Sequence, residues 1–196
     1  MVIKKILKWF YLLPIKRKLN SLGERAVIRY PIRIEHGKFI SIGDGANIYK
    51  NAMLQAVQTE NNPPPSILIG RNIRIWSNVQ ISATQKMTIG NDVVLSANSF
   101  ITDSTHPYED ISHAPRYNKL KLLSEVEIGD DTWIGRNAIV SGCKIGKHCV
   151  IGANAFVTKD VPDYCVVVGC PARIVKRFNS NTAQWEKTDK NGNFIV

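Results

Sequence analysis

Carboxylates are scarce in this chain. Its 196 residues carry 16 Asp and Glu against 26 Lys and Arg, a formal net charge of +10 at pH 7. Such a surface calls for a partner that is acidic or indifferent to charge. Nucleic acid, anionic lipid and phosphorylated cofactors all qualify, and charge alone does not choose among them. Few aromatics interleave with the basic residues and no nucleic-acid-binding module is present, which excludes a specific nucleic-acid reader. Long apolar runs are missing too. The longest, from Trp9 to Ile15, is far short of the ~20 residues a membrane span requires. Cysteine is sparse, with Cys143, Cys149, Cys165 and Cys170 the full set. Met1–Leu22 has no small-residue cleavage site after its apolar run, so the thiols read as reduced and the chain as cytoplasmic.

What is present is a repeat. Aliphatic residues recur every six positions in five runs: Ile42, Ile48, Leu54; Ile69, Ile75, Ile81; Ile89, Leu95, Ile101; Ile128, Ile134, Val140; and Ile145, Ile151, Val157. Four places after nearly every one stands a small or β-branched residue, among them Ala46, Val79, Ser99, Thr132, Ala138 and Cys149. Gly follows the aliphatic at 43, 70, 90, 129, 135, 146 and 152. Six residues make one short strand and one sharp corner. Gly is expected to supply backbone freedom there. No hexamer can bury its apolar face alone, so coils must stack, and three hexamers per turn give a triangular prism. An α/β domain is excluded because no amphipathic helix separates the strands in 67–105 or 126–161.

Two stretches interrupt the repeat. Residues 55–66, with Asn61-Asn62-Pro63-Pro64-Pro65, read as an external loop. Residues 102–125 form a longer one holding His106, His113, Arg116 and Tyr117, and long loops inside a regular solenoid are usually functional. The solenoid domain is assigned to 23–173. Before it, within 1–22, Ile3, Ile6, Leu7, Phe10 and Leu13 recur at helical spacing among lysines. Residues 2–13 therefore read as a short basic amphipathic helix. Two roles stay open for it: a cap over the end of the core, or, through residues 2–18, peripheral attachment to an anionic membrane. Residues 174–196 read as a polar tail, partly helical.

The most specific stretch is Ile128-Gly129-Asp130-Asp131-Thr132-Trp133-Ile134-Gly135. It continues through 145–162 and closes on Gly169-Cys170-Pro171-Ala172-Arg173-Ile174-Val175-Lys176. Across about residues 40–176 the sequence resembles the hexapeptide-repeat acyltransferases, closest to the maltose and galactoside O-acetyltransferases and bacterial polysaccharide O-acetyltransferases. The resemblance implies an all-β, left-handed parallel β-helix, a homotrimer with sites between subunits, and acetyl-CoA as acyl donor with no metal. It places His106 as general base for a saccharide hydroxyl, a role suited to an imidazole that titrates near neutral pH. It implies that Gly135, Ala153 and Thr158 lie along the coenzyme arm. Arg173 and Lys176, with Lys159 nearby, would meet its phosphates, though without the resemblance residues 173–177 read rather as a solvated basic tail. Trp133 would stand at the mouth of the site. Asp103 could orient the imidazole, bind the acceptor, or hold a turn.

One departure bears on the acceptor. The simple-sugar enzymes place an acceptor-binding Asn where this chain has Trp76, with Asn78 two residues further on. This favours a larger glycan, as in cell-surface polysaccharide or lipopolysaccharide assembly. The rival readings are N-acetyl transfer to an amino or nucleotide sugar, a zinc enzyme of the β-helix class, and a non-catalytic scaffold. The histidines His36, His106, His113 and His148 do not recreate a converging three-His zinc set.

Overall fold

A computed structural model describes residues 12–59, 63–189 and 192–195. The chain winds as a parallel β-helix of six complete coils, each contributing one strand to each of three sheets. The coils are Ser21–Leu22, Val27–Ile28 and Arg33–Glu35; Ile40–Ile42, Asn47–Ile48 and Met53–Ala56; Ser66–Ile69, Arg74–Ile75 and Gln80–Ala83; Lys86–Ile89, Val94–Leu95 and Phe100–Thr102; Val126–Ile128, Trp133–Ile134 and Ile139–Ser141; and Lys144–Ile145, Val150–Ile151 and Phe156–Val157. We call the three sheets the first, second and third faces in that order. Each six-step run in the sequence is one coil, and its three aliphatics point inward, one per face. Register pairs such as Ile48 with Ile75 and Ile101 with Val140 stack these residues coil on coil. The resulting core is continuous and its central members are fully buried.

The first coil lies mostly within the expected 23–173 domain, but its run was not among those counted. Leu22, Ile28 and Ile34 keep the six-residue step, and Ile42 follows Ile34 by eight positions, with the 3-10 turn Gly37–Phe39 between them. The glycines after the aliphatics also play another part than expected. They do not take left-handed backbone angles. A Cβ on Gly43 would lie 2.5 Å from the Gly70 carbonyl oxygen, and one on Gly135 would lie 2.6 Å from Ala153 N. What these positions need is close approach between coils. The left-handed corner falls two residues further on, to Asn, Asp, His or Tyr and once to Gly45, as at Asn72 (φ 55°) and Asp131 (φ 59°), and on the next edge to Asn98 (φ 63°) and Asn137 (φ 57°). Asn and Asp are the L-residues that best tolerate that region.

At the N-terminal end, residues 12–18 are helical, beyond the expected limit at residue 13, and Pro14 lies within the stretch. The Leu19 amide still donates to the Ile15 carbonyl at 3.2 Å. Ile15 and Leu19 are buried in the core, while Lys16, Arg17 and Lys18 are exposed. This segment closes the open end of the solenoid. The rest of the proposed helix, residues 2–11, lies outside the described residues. The described part of the C-terminal segment is not helical. Arg173–Asn179 pairs antiparallel with Cys165–Val168, and Gln184–Lys187 pairs with Arg173–Asn179, so the second face grows to nine strands. Cys165–Val168 offers a strand edge, and Arg173–Asn179 takes it up.

Candidate active site

All the irregular segments leave the prism at one edge, between the third and first faces. The turn 36–39, the loop 57–65 and the loop 103–125 each join a third-face strand to a first-face strand. The 103–125 segment is not irregular throughout. Ser104–Thr105 pairs antiparallel with Lys121–Leu122, and Pro115–Tyr117 forms a 3-10 turn. Lys121 Nζ contacts Glu109 Oε1 at 2.5 Å, and the Lys121 ammonium holds the Glu109 carboxyl down to about 2. His113 Nε2 meets Asn118 Oδ1 at 2.6 Å, and Asn118 donates to the Pro107 carbonyl at 3.1 Å. His113 is therefore part of the loop's own bracing.

Asp103 anchors the foot of the loop. It is fully buried. Its carboxylate accepts from Thr84 N (2.8 Å), Thr84 Oγ1 (2.6 Å) and Gln85 N (2.8 Å). Its own carbonyl accepts from Leu123 N at 2.8 Å, and Gln85 Nε2 donates to the Leu123 carbonyl at 2.9 Å. Of the three roles open to it, the geometry fills the structural one, and the turn it holds belongs to the neighbouring coil. His106 follows Thr105 directly, exposed, and among the described residues no side chain hydrogen-bonds its ring. Its sequence neighbour Thr105 lines a cleft of about 510 Å³ with Ser124, Ser141, Gly142 and Thr158. Thr158 also lines a second cleft of about 590 Å³ with Lys159, Pro171 and Arg173. This edge thus joins the foot of the His106 loop to Lys159 and Arg173. Lys176 lies outside that cleft, exposed on the antiparallel strand opposite Val166.

The remaining predicted residues gather elsewhere. Trp76, Trp133, Gly135 and Ala153 line a third groove of about 510 Å³ on the second face, with Ser96, Val94 and Gly152. Its origin is legible in the residue that follows each second-face strand: Arg29, Tyr49, Trp76, Ser96, Gly135, Gly152. Three large side chains are followed by three small ones, and Val168 closes the far end against Gly152. From the Trp76 coil to the Val168 coil is roughly 19 Å at ~4.8 Å per strand. The wall at the Trp76 end is braced. Trp76 stacks on Tyr49 with centroids 4.4 Å apart, and the Arg29 guanidinium lies 4.1 Å over Tyr49. Trp133 Nε1 donates to Ser96 Oγ at 2.8 Å, which fixes the second indole. Tyr49, Ser96 and Arg29 went unrecognised in the sequence. Extending the six-step count to the residue after each aliphatic would have found them.

Asn78 stands at the corner between the second and third faces. Its amide donates to Asn98, Asn98 to Asn137, and Asn137 to Asn154, each at 3.0 Å. The Asn78 amide is thereby committed to a ladder along that edge. The cysteines are inert packing groups apart from Cys170, which is exposed. Burial pushes the Cys143 and Cys149 thiols up to about 11. Among the described residues no three His, Cys, Asp or Glu side chains cluster as a metal site would need. Nor is any helix among them long and apolar enough to cross a membrane.

Comparison with known proteins agrees with this architecture. Residues 125–159 match the family described as bacterial transferase hexapeptide (six repeats). The chain is 30% identical over 173 residues to WbbJ of Escherichia coli K12, a protein assigned to O-acetyl transfer in lipopolysaccharide biosynthesis; the match spans 82% of this chain and 83% of that one. It is 34% identical over 166 residues to the galactoside O-acetyltransferase of the same organism, spanning 84% of this chain and 67% of that one. A solved galactoside acetyltransferase in complex with coenzyme A superposes with a TM-score of 0.59 at 25% identity, over 93% of this chain and 76% of that one. The coiled core, the repeat and these relatives together establish that the chain belongs to the hexapeptide-repeat acyltransferase family, whose prism is a left-handed parallel β-helix.

Proposed function

We propose that this acetyltransferase moves an acetyl group from acetyl-CoA directly onto a saccharide hydroxyl, with the His106 imidazole as general base. The observation that carries the reading is the placement of His106. His106 is exposed at the foot of a loop that Asp103 pins to the coils, one residue from Thr105, which lines an open cleft. The hydroxyl oxygen attacks the thioester carbonyl while His106 takes the hydroxyl proton. The tetrahedral oxyanion needs a backbone N–H donor. Its collapse breaks the C–S bond, and the departing thiolate recovers the proton from the imidazolium. An acyl-enzyme is disfavoured because Cys143, next to the cleft residue Gly142, is buried and its thiol is pushed up to about 11.

In this reading the coenzyme's phosphates meet Lys159 and Arg173, and its arm runs along the small-residue floor at Gly135 and Ala153. These two sets lie on opposite edges of the third face in one chain. Copies packed side by side would set the His106 edge of one against the tryptophan groove of the next, which supports a homotrimer. The names of the relatives support a saccharide acceptor. The exposed Lys16, Arg17 and Lys18 beside the buried Ile15 and Leu19 support peripheral contact with an anionic membrane at the cytoplasmic face, and co-sedimentation with anionic vesicles at low salt tests it. The central test is His106→Ala, which should still bind acetyl-CoA while transfer to a glycan falls by about 10²–10⁴-fold. Unchanged turnover, or a trapped acetylated side chain, overturns the mechanism.

A further inference from the structure

The coiled part of the second face lacks negative charge. Its parallel strands in the six coils, and the residue after each strand, include no Asp or Glu. On its N-terminal half stand two arginines, Arg29 and Arg74, both exposed. Among the described residues no carboxylate lies within salt-bridge range of either. Their neighbours at the same end differ: Arg25 is paired with Asp44, and Arg33 with Glu35. Arg29 instead lies over Tyr49 and donates to Asn47 Oδ1. Arg74 points outward on the strand that leads into Trp76. One guanidinium therefore closes a braced aromatic stack, a second stands two residues before Trp76 on the same outward side of the strand, and the stack ends on the groove.

The stacking fixes what this surface can offer. Tyr49 is covered on its two faces by Arg29 and Trp76. The face of Trp76 turned away from Tyr49 borders the groove lined by Ser96 and Ala97. One indole face is thus free for an apolar sugar face. The column beyond it presents ring edges, the Tyr49 hydroxyl and guanidinium edges. Such a guanidinium offers a planar fork of donors matched to a carboxylate or phosphate, and stacking on an aromatic ring holds the fork in place.

We propose that the acceptor is an acidic glycan several sugars long. The unit to be acetylated lies at the Trp76 end of the groove, and an anionic group on the neighbouring units is held by Arg29 and Arg74. The inference rests on the reading of this chain as a glycan acetyltransferase and adds the charge and length of the acceptor. Exposed surface charges without partners would otherwise cost solubility nothing, but they would not be expected to line up beside a ring stack that opens on the groove.

The test uses the full chain with labelled acetyl-CoA and three probes of matched length: a neutral glucose oligosaccharide, a uronic-acid oligosaccharide and a phosphodiester-linked glycan oligomer. Binding is measured by calorimetry alongside acetyl transfer. At least one acidic probe should bind about tenfold more tightly than the neutral one, with the preference weakening as salt rises. Which acidic probe wins assigns the anion. Arg29→Gln and Arg74→Gln together should remove most of that preference, with acetyl-CoA binding as the check on folding. Trp76→Ala should weaken all three probes alike. Equal affinity for neutral and acidic probes overturns the proposal even if glycans are acetylated. A preference that survives the double arginine variant also overturns it. If acetyl-CoA binds and none of the probes binds or is acetylated, the glycan reading itself falls.

Discussion

Two edges of the same prism behave differently. The edge between the second and third faces is a strict ladder. Asn78, Asn98, Asn137 and Asn154 take the same left-handed corner and pass one amide hydrogen bond down the stack. The edge between the third and first faces changes length at every coil and carries every insertion, including the one with His106. The contrast separates two demands. A ladder tolerates no added residue, since one insertion breaks the stack above and below. An edge whose corners are held one at a time, as Asp103 holds 84–85, can grow a loop without disturbing the coils.

The comparison can be broken first at Asp103. Asp103→Ala strips buried donors at Thr84 and Gln85 of their acceptor and should cost about 3 kcal/mol. Transfer should fall with it, because the loop loses its foot. A melting temperature and an activity both near wild type would show that the edge does not depend on this anchor. On the ladder edge, Asn137→Ala should cost about 1–2 kcal/mol, since it removes two amide contacts and leaves a Cβ at φ 57°. Asn137→Gly recovers the backbone share, and the remaining difference in denaturant midpoint measures the ladder alone.

A smaller effect of opposite sign is expected inside. The Ser99 hydroxyl is buried without a partner, whereas Thr132 Oγ1, also facing in, donates to the Gly146 carbonyl and accepts from Cys149 N. Ser99→Ala should therefore stabilise the fold by about 1 kcal/mol, read as a rise of roughly 2–4 °C in melting temperature. Thr132→Val should do the reverse. Smallest is the loop brace. The folded Glu109 carboxyl sits at about 2, below its ordinary 4.5, so the brace to Lys121 is intact above pH 4.5 and is lost as pH falls through about 2. Proteolysis within 106–120 should rise across that window, and Glu109→Gln should raise it at neutral pH. A cleavage rate insensitive to both would remove the brace from the account.

Much of the fold was legible because its physics is periodic. One aliphatic every six residues leaves no other way to bury the chain, and the five runs mapped onto five coils. The run of the first coil went uncounted although the domain was assigned from residue 23, and the C-terminal strands were missed because their partner edge is formed only by the folded coils. The glycines were placed correctly and explained wrongly, since crowding between coils is invisible along the chain. His106, Trp133 and the basic residues were named by resemblance. The commitment of Asn78 to a ladder and of Asp103 to a turn came from neighbours 20 and 19 positions away.

The sequence by itself therefore determined the solenoid, its inward columns and the place where the repeat opens. Only the tertiary structure decided which side chains are free to act. In a coil each residue's contacts are with the residues above and below, a turn away in sequence. That is why polar side chains are spent on the scaffold at Asp103 and Asn78, while among the described residues Arg29 and Arg74 are left without a carboxylate and the His106 ring without a side-chain partner.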